Sequence, residues 1–223
     1  MNPLLQAQWQ RLFHTEGESH TRAARLDLAR PANWDALGAL WRGVQTELGL
    51  PAPAIAVNGV DGYQLWFSFA TPQPLDEVAT FLDALRRRWL AGINASRLSL
   101  ESHPGADQLP PRQTGDEQWS AFVAPDLAPV FAEAPWLDIS PNPDGQAELL
   151  SRLASVAAAD FRRALQDLTP ASEPAASQAP AGTSAQSDPQ AFLTRVMNDA
   201  TAPLALRIEA AKALLPYTSR RQP

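Results

Sequence analysis

The sequence predicts an α+β fold, and three observations predict it. Residues 54–70 read as two strands around a Gly-containing turn, with Tyr63, Leu65, Phe67 and Phe69 on one face and Gln64, Trp66 and Ser68 on the other. Leu37, Leu40, Trp41, Val44 and Leu48 recur at helical spacing, as do Val78, Phe81, Leu82, Leu85 and Trp89. Residues 169–187 carry no aromatic side chain and no Leu, Ile or Val, so nothing there offsets the entropy of ordering the backbone. That stretch is expected to be a disordered Pro/Ala/Ser linker between a body, residues 1–168, and a two-helix tail, residues 188–218.

Taken in order, the body begins with a helix over Leu4 to Phe13 and a strand from Arg22 to Leu28. Asn33 is the expected cap of the first long amphipathic helix. Strands from Ala54 to Gly59 and Gly62 to Ala70 follow, then the second amphipathic helix, then a strand from Ser96 to Ser102. The resulting β-α-β-β-α-β order is that of a split βαβ, ferredoxin-like sheet with both helices on one face. A strand from Glu117 to Val123 could extend the sheet. One continuous helix is expected over Ala147 to Leu168, since Leu149, Leu150, Leu153, Val156, Ala157 and Phe161 share a helical face. In the tail, Asp188 is a cap and Pro189 the first helical residue, and Phe192, Val196, Leu204, Ile208 and Leu215 supply an apolar face too small to fold alone. Docking to a protein partner is its expected use.

The strand faces agree with one another. Leu26, Leu28, Ile55, Val57, Leu65, Phe67, Leu98 and Leu100 can all point to the helices, which leaves Arg25, Asp27, Gln64, Ser68, Arg97, Ser99 and Glu101 on an opposite face that is polar and uncovered by the expected helices. A ligand would lie there.

Composition narrows the chemistry. The chain has 223 residues, 45% of them hydrophobic, with seven Trp and no Cys, so a substantial core is possible and thiolate or disulfide chemistry is not. No run approaches 18 apolar residues and the first residues lack a secretory pattern, so the cytoplasm is the expected compartment and no membrane partner is expected. A net charge of −6 disfavours non-specific coating of nucleic acid. Acidic residues outnumber basic ones 20 to 13 up to position 168, against 4 to 5 beyond it. His14, His20 and His103 have no metal-ligand spacing, and no zincin, nucleophile-elbow or P-loop motif occurs. Arg86, Arg87 and Arg88 read as cations meeting the negative end of a helix dipole.

Two segments resemble the palm of archaeo-eukaryotic primase-polymerases, whose first motif is a strand ending Asp-x-Asp and whose second is a Gly turn followed by Tyr-His-Leu-Trp-like residues. Ala24-Arg25-Leu26-Asp27-Leu28-Ala29 is similar to the first and Asn58-Gly59-Val60-Asp61-Gly62-Tyr63-Gln64-Leu65-Trp66-Phe67 to the second, so the resemblance covers roughly residues 20–125 and implies a primase-palm-like core. Ala29 stands where the palm has its second carboxylate and Gln64 where it has histidine. A two-metal site needs several acidic oxygens around cations about 3.5–4 Å apart, and Asp27 is one carboxylate, with Glu101, Asp107 or Asp116 as conceivable additions. The resemblance thus implies a catalytically inactive member, with Mg²⁺ or Mn²⁺ involved only if the palm were active. Residues 188–217 are similar to a segment of phage proteins of the small-terminase kind, which suggests a phage or mobile-element association.

The expected function is binding of single-stranded nucleic acid or a nucleotide on the polar face, with no catalytic and no metal-binding residue assigned. The candidate contacts are Asp27, Asn58, Gln64, Arg97 and Arg112, with Trp66 as a ring that either stacks on bases or is covered by a later helix or by Trp136. Arg112 reaches the face from a Pro-rich loop. The alternative function is an adaptor or assembly protein that binds a protein partner through the tail.

Overall fold

A computed structural model describes residues 2–14, 17, 19–32, 34–169 and 212. The chain divides into two compact units, Met1–Ser172 and Glu173–Pro223. All that follows concerns the first. The expected linker, the expected tail apart from Lys212, and the expected cap Asn33 lie outside the described residues.

Mixed helix and strand make up this unit. Helix α1 (Pro3–Phe13) is followed by β1 (His20–Ala29), α2 (Trp34–Thr46), β2 (Ala54–Val57), β3 (Gly62–Pro74), α3 (Leu75–Trp89), β4 (Leu98–Glu101), β5 (Arg112–Gly115), β6 (Gln118–Val123), α4 (Pro143–Ser151) and α5 (Ala158–Leu168). The strands form one antiparallel sheet in the order β4-β1-β3-β2-β6-β5. Two positions, β1 and β3, are longer than the hydrophobic alternation indicates, and they run side by side for most of their length. Near the start of β1 the register shifts between Thr21 and Ala23, and the Thr21 hydroxyl closes the irregularity by donating to Ala23 O at 2.6 Å and accepting from Ala23 N at 3.0 Å.

The first face of the sheet carries the larger core. Leu26 and Leu28 of β1, Ile55 and Val57 of β2, and Tyr63, Leu65, Phe67 and Phe69 of β3 are buried against Leu37, Leu40 and Val44 of α2, Val78, Phe81, Leu82 and Leu85 of α3, and Phe161 and Ala164 of α5. Phe81 packs edge-on against both Phe67 and Phe161, with ring centroids 5.6 and 5.4 Å apart. Each such fully buried ring contributes about 1.5–3 kcal/mol relative to exposure. The Tyr63 hydroxyl ends in this core, donates to Ala128 O at 2.6 Å, and has its pKa pushed up to about 12 by burial.

The opposite face is not open along its length, which corrects the sequence-based expectation. Helices α1 and α4 cover much of it and enclose a second core of Leu5, Leu12, Phe13, Trp66, Phe122 and Leu150. Ala23, Ala54 and Ala56 form its floor, and their small side chains let helices come close to the strands. Asn2 caps α1 by accepting from Leu4 N and Leu5 N, Asn142 caps α4 by accepting from Asp144 N, and Asn2 Nδ2 donates to Asp144 Oδ1 at 2.8 Å. Arg11 of α1 donates to Leu150 O at the C-terminal end of α4 and to Leu153 O just beyond it. Gln146 of α4 pairs with both the N–H and the C=O of Phe122, serving β6 where β5 has ended.

The expected single helix over 147–168 is two helices on opposite faces of the sheet. Between them the backbone of Val156 donates to Ser68 O at 2.7 Å and accepts from Ala70 N at 2.8 Å, pairing in parallel with the part of β3 that extends past β2. Helical residues at 152–157 would have left those two β3 groups unpaired in a buried setting. A second difference is β5, where a Pro-rich loop was expected.

Because Phe13 packs on Trp66 and Phe122, with centroids 5.5 and 6.0 Å away, Phe13→Ala is expected to lower the unfolding free energy by about 3–5 kcal/mol. Urea titration checks this, and a loss below about 0.5 kcal/mol would mean that α1 does not cover the sheet.

Candidate functional site

The second core stops partway along the sheet, and the stopping point is visible in the rows of side chains that cross it. Register pairing aligns Glu101, Arg25, Trp66 and Ala54 in one row and Ser99, Asp27, Gln64 and Ala56 in the next. In the first row Trp66 lies under Phe13, and in the second Ser99, Asp27 and Gln64 border a cleft. The cleft has a volume of about 390 Å³. Its floor is Arg25, Asp27 and Gln64; its walls are Ser99, Ser120, Asp107 and Gln108; and Asn58, Val60 and Arg112 stand at the rim.

Arg25 joins the two environments. Its guanidinium lies 5.3 Å from the Trp66 ring centroid, covering the apolar core, while Nε donates to Asp27 Oδ2 at 2.8 Å, Nη1 to Gln108 Oε1 at 2.5 Å and Nη2 to Glu101 Oε2 at 2.6 Å. The Asp27 carboxyl is pushed above its ordinary value of 3.8 because burial penalises the charged form more than Arg25 and the hydrogen bond with Gln64 favour it. Gln64 Oε1 also accepts from Trp66 Nε1 at 3.0 Å. The floor is therefore one connected polar network, and no buried side-chain nitrogen or oxygen among the described residues lacks a partner.

The β2–β3 turn supplies the rim. Asn58 Oδ1 accepts from the backbone N–H groups of Val60, Asp61 and Gly62, and Nδ2 donates to Asp61 Oδ1 at 2.8 Å. Gly59 has φ +80°, and a Cβ there would meet Thr114 Oγ1 at 2.5 Å; at Gly62 a Cβ would sit 2.0 Å from Leu28 O. Both glycines are thus required by close approach. Val60 is held outward with 53% exposure.

Four of the six candidates named from the sequence meet here: Asp27, Gln64, Asn58 and Arg112. Asn58 is occupied with shaping the turn. Arg112 is exposed on β5 and has no side-chain partner among the described residues. The other two stand elsewhere. Trp66 is buried at 1% exposure in the core that α1 and the later helix α4 enclose, with Phe13 against its ring and Trp136 elsewhere, so it cannot stack on a ligand base. Trp136 instead faces Arg30. Arg97 belongs to a short 3-10 turn before β4 and donates to Ala29 O and Pro31 O, which ties down the end of β1 away from the cleft. Sequence reasoning missed Arg25 as the organiser of the floor, together with Gln108, Ser99 and Ser120. Alternation placed Arg25 on the right face, but its ties to Asp27 and Glu101 follow only from strand pairing.

The divalent cations that the palm resemblance implies do not fit this donor set. Asp27 and Glu101 each already accept from Arg25, and no group of three or more His, Asp or Glu that could hold a metal ion occurs among the described residues. No helix among those residues is long and apolar enough to cross a membrane.

A raised folded-state pKa means that the native protein holds the Asp27 proton more tightly than the unfolded chain. Its stabilising contribution is full below about pH 4 and is lost as pH rises through the folded value. Asp27→Asn, which cannot ionise, is expected to gain stability relative to the parent as pH increases from about 4 towards neutrality. Urea midpoints across that range test the sign; a difference that moves the other way would show that Arg25 dominates burial. No protein-family model matches this chain and no curated protein matches it.

Proposed function

We propose that the body is a catalytically inactive primase-palm-like module that holds a nucleotide or single-stranded nucleic acid in the cleft over Asp27 and Gln64. The observation that carries this reading is the pairing of Asp27 with Gln64 across β1 and β3, which brings both palm-like motifs to one cleft with Arg112 at its rim. The strand order β4-β1-β3-β2 within a β-α-β-β-α-β succession supports a ferredoxin-like core, with β6 and β5 as additions at the β2 edge. A cleft of about 390 Å³ suits one nucleotide-sized unit, at the small end of the roughly 300–1,000 Å³ common for ligand sites. Amide, hydroxyl and carboxyl groups line it, and they suit the polar edge of a base. Ala29 stands where the palm has its second carboxylate, and the neighbouring Glu101 is tied to Arg25, which supports binding without turnover.

Binding of a fluorescent nucleotide and of a labelled single-stranded oligonucleotide, followed by anisotropy, tests the proposal. Saturable, salt-sensitive binding is expected, with Gln64→Ala and Arg112→Ala each weakening it about five- to tenfold, on the order of 1 kcal/mol. Unchanged binding in both variants, or none in the parent, would remove the proposal.

A further inference from the structure

Two features of the cleft bear on how a nucleotide would lie in it: where charge is already spent and where it is free. On the floor, the Arg25 guanidinium is engaged through Nε, Nη1 and Nη2, facing two carboxylates, Asp27 and Glu101, and one amide, Gln108. That leaves no cationic surplus at depth. A phosphate there would meet two acidic side chains and would have to break the bonds they make with Arg25, while a divalent cation would have to displace Arg25 from the same oxygens.

The floor does offer hydrogen bonding to a neutral group. Asp27 and Gln64 sit side by side on neighbouring strands and share a hydrogen bond; beyond it, Arg25 uses one Asp27 oxygen and Trp66 one lone pair of Gln64 Oε1, which leaves further carboxyl lone pairs and a second amide N–H for a ligand. A carboxyl and an amide in that arrangement match the donor and acceptor edge of a planar heterocycle. The rim differs in character. Arg112 has no side-chain partner among the described residues, and exposed Val60 is the apolar side chain of the same rim.

Resting on the nucleotide-binding reading above, we infer that the cleft takes a nucleoside monophosphate unit base-first and without a divalent cation, the base edge on Asp27 and Gln64 and the phosphate at the rim on Arg112. This orientation is the reverse of one in which metal-bound phosphates occupy the acidic floor. The unit is either a free nucleotide or one residue of a single strand.

Calorimetric titration of the full chain with nucleosides, their 5′-monophosphates and 5′-triphosphates, and a short single-stranded oligonucleotide, each in EDTA and in Mg²⁺, tests the inference. Monophosphate is expected to bind about five- to tenfold more tightly than nucleoside, equally in EDTA and Mg²⁺, with little further gain for triphosphate. Arg112→Ala should abolish that difference while leaving nucleoside affinity unchanged, and Arg112→Lys should restore most of it. Asp27→Asn should weaken nucleoside and monophosphate alike. Tight free monophosphate makes a free nucleotide the source; oligonucleotide binding alone, with the same Arg112 and metal pattern, makes it a strand. Binding that needs Mg²⁺, grows strongly with phosphate number, or loses nucleoside affinity in Arg112→Ala overturns the inference and spares the broader reading. No binding of any of these compounds overturns both.

Discussion

The pairing of β1 with β3 is the constraint on which the other features depend. It joins the two longest strands at the centre of the sheet, and its register sets Asp27 against Gln64 and Arg25 against Trp66. Because side chains alternate between faces, a slip of one residue would send Leu26 and Leu28 to the cleft and Arg25 and Asp27 into the larger core. Burying those two charges without partners would cost several kcal/mol, so the register is held by what a slip would strand. Gly62 enforces it at one end, where only a hydrogen fits against Leu28 O, and Asn58 fixes the turn that feeds it.

From that register follows the division of the second face. Toward the Ser68 end, small floor residues admit α1 and α4, and Ser68 itself donates to Leu12 O. Toward the turn, Asp27, Gln64 and Ser99 are polar, and no helix settles on them. Arg25 works at the boundary because its planar cation can cover an indole with its face and bind carboxylates with its edge. A lysine there would hold a point charge and lose both geometries.

Much of this was legible in the residues. Tyr63, Leu65, Phe67 and Phe69 announced β3 and its buried face, and the apolar spacing of α2 and α3 placed both helices over it. The face carrying Asp27 and Gln64 was also readable from alternation alone. Coverage of that face was not: α1 is amphipathic, but periodicity says that an apolar stripe must be buried and not against which surface. The break between α4 and α5 was hidden for a related reason. Residues 152–157 contain no Gly or Pro, and Val156 fits a helical stripe, yet its backbone is recruited by Ser68 and Ala70 of a strand more than eighty residues earlier. The strand at Arg112–Gly115 follows two prolines that read as loop, although they precede it and leave its own pairing with β6 intact. Arg97 reads as a face residue by alternation, yet it lies in the 3-10 turn that precedes β4.

The clasp of α1 onto α4 has a consequence for how the chain is made. Leu5, Leu12 and Phe13 leave the ribosome ahead of Trp66 and well ahead of Phe122 and Leu150, so the apolar face of α1 is completed only after more than a hundred further residues are made. Such distant closure slows folding, and the polar ties at both ends of α4, through Asn2 and Arg11, act as latches that can engage only once translation has passed that helix.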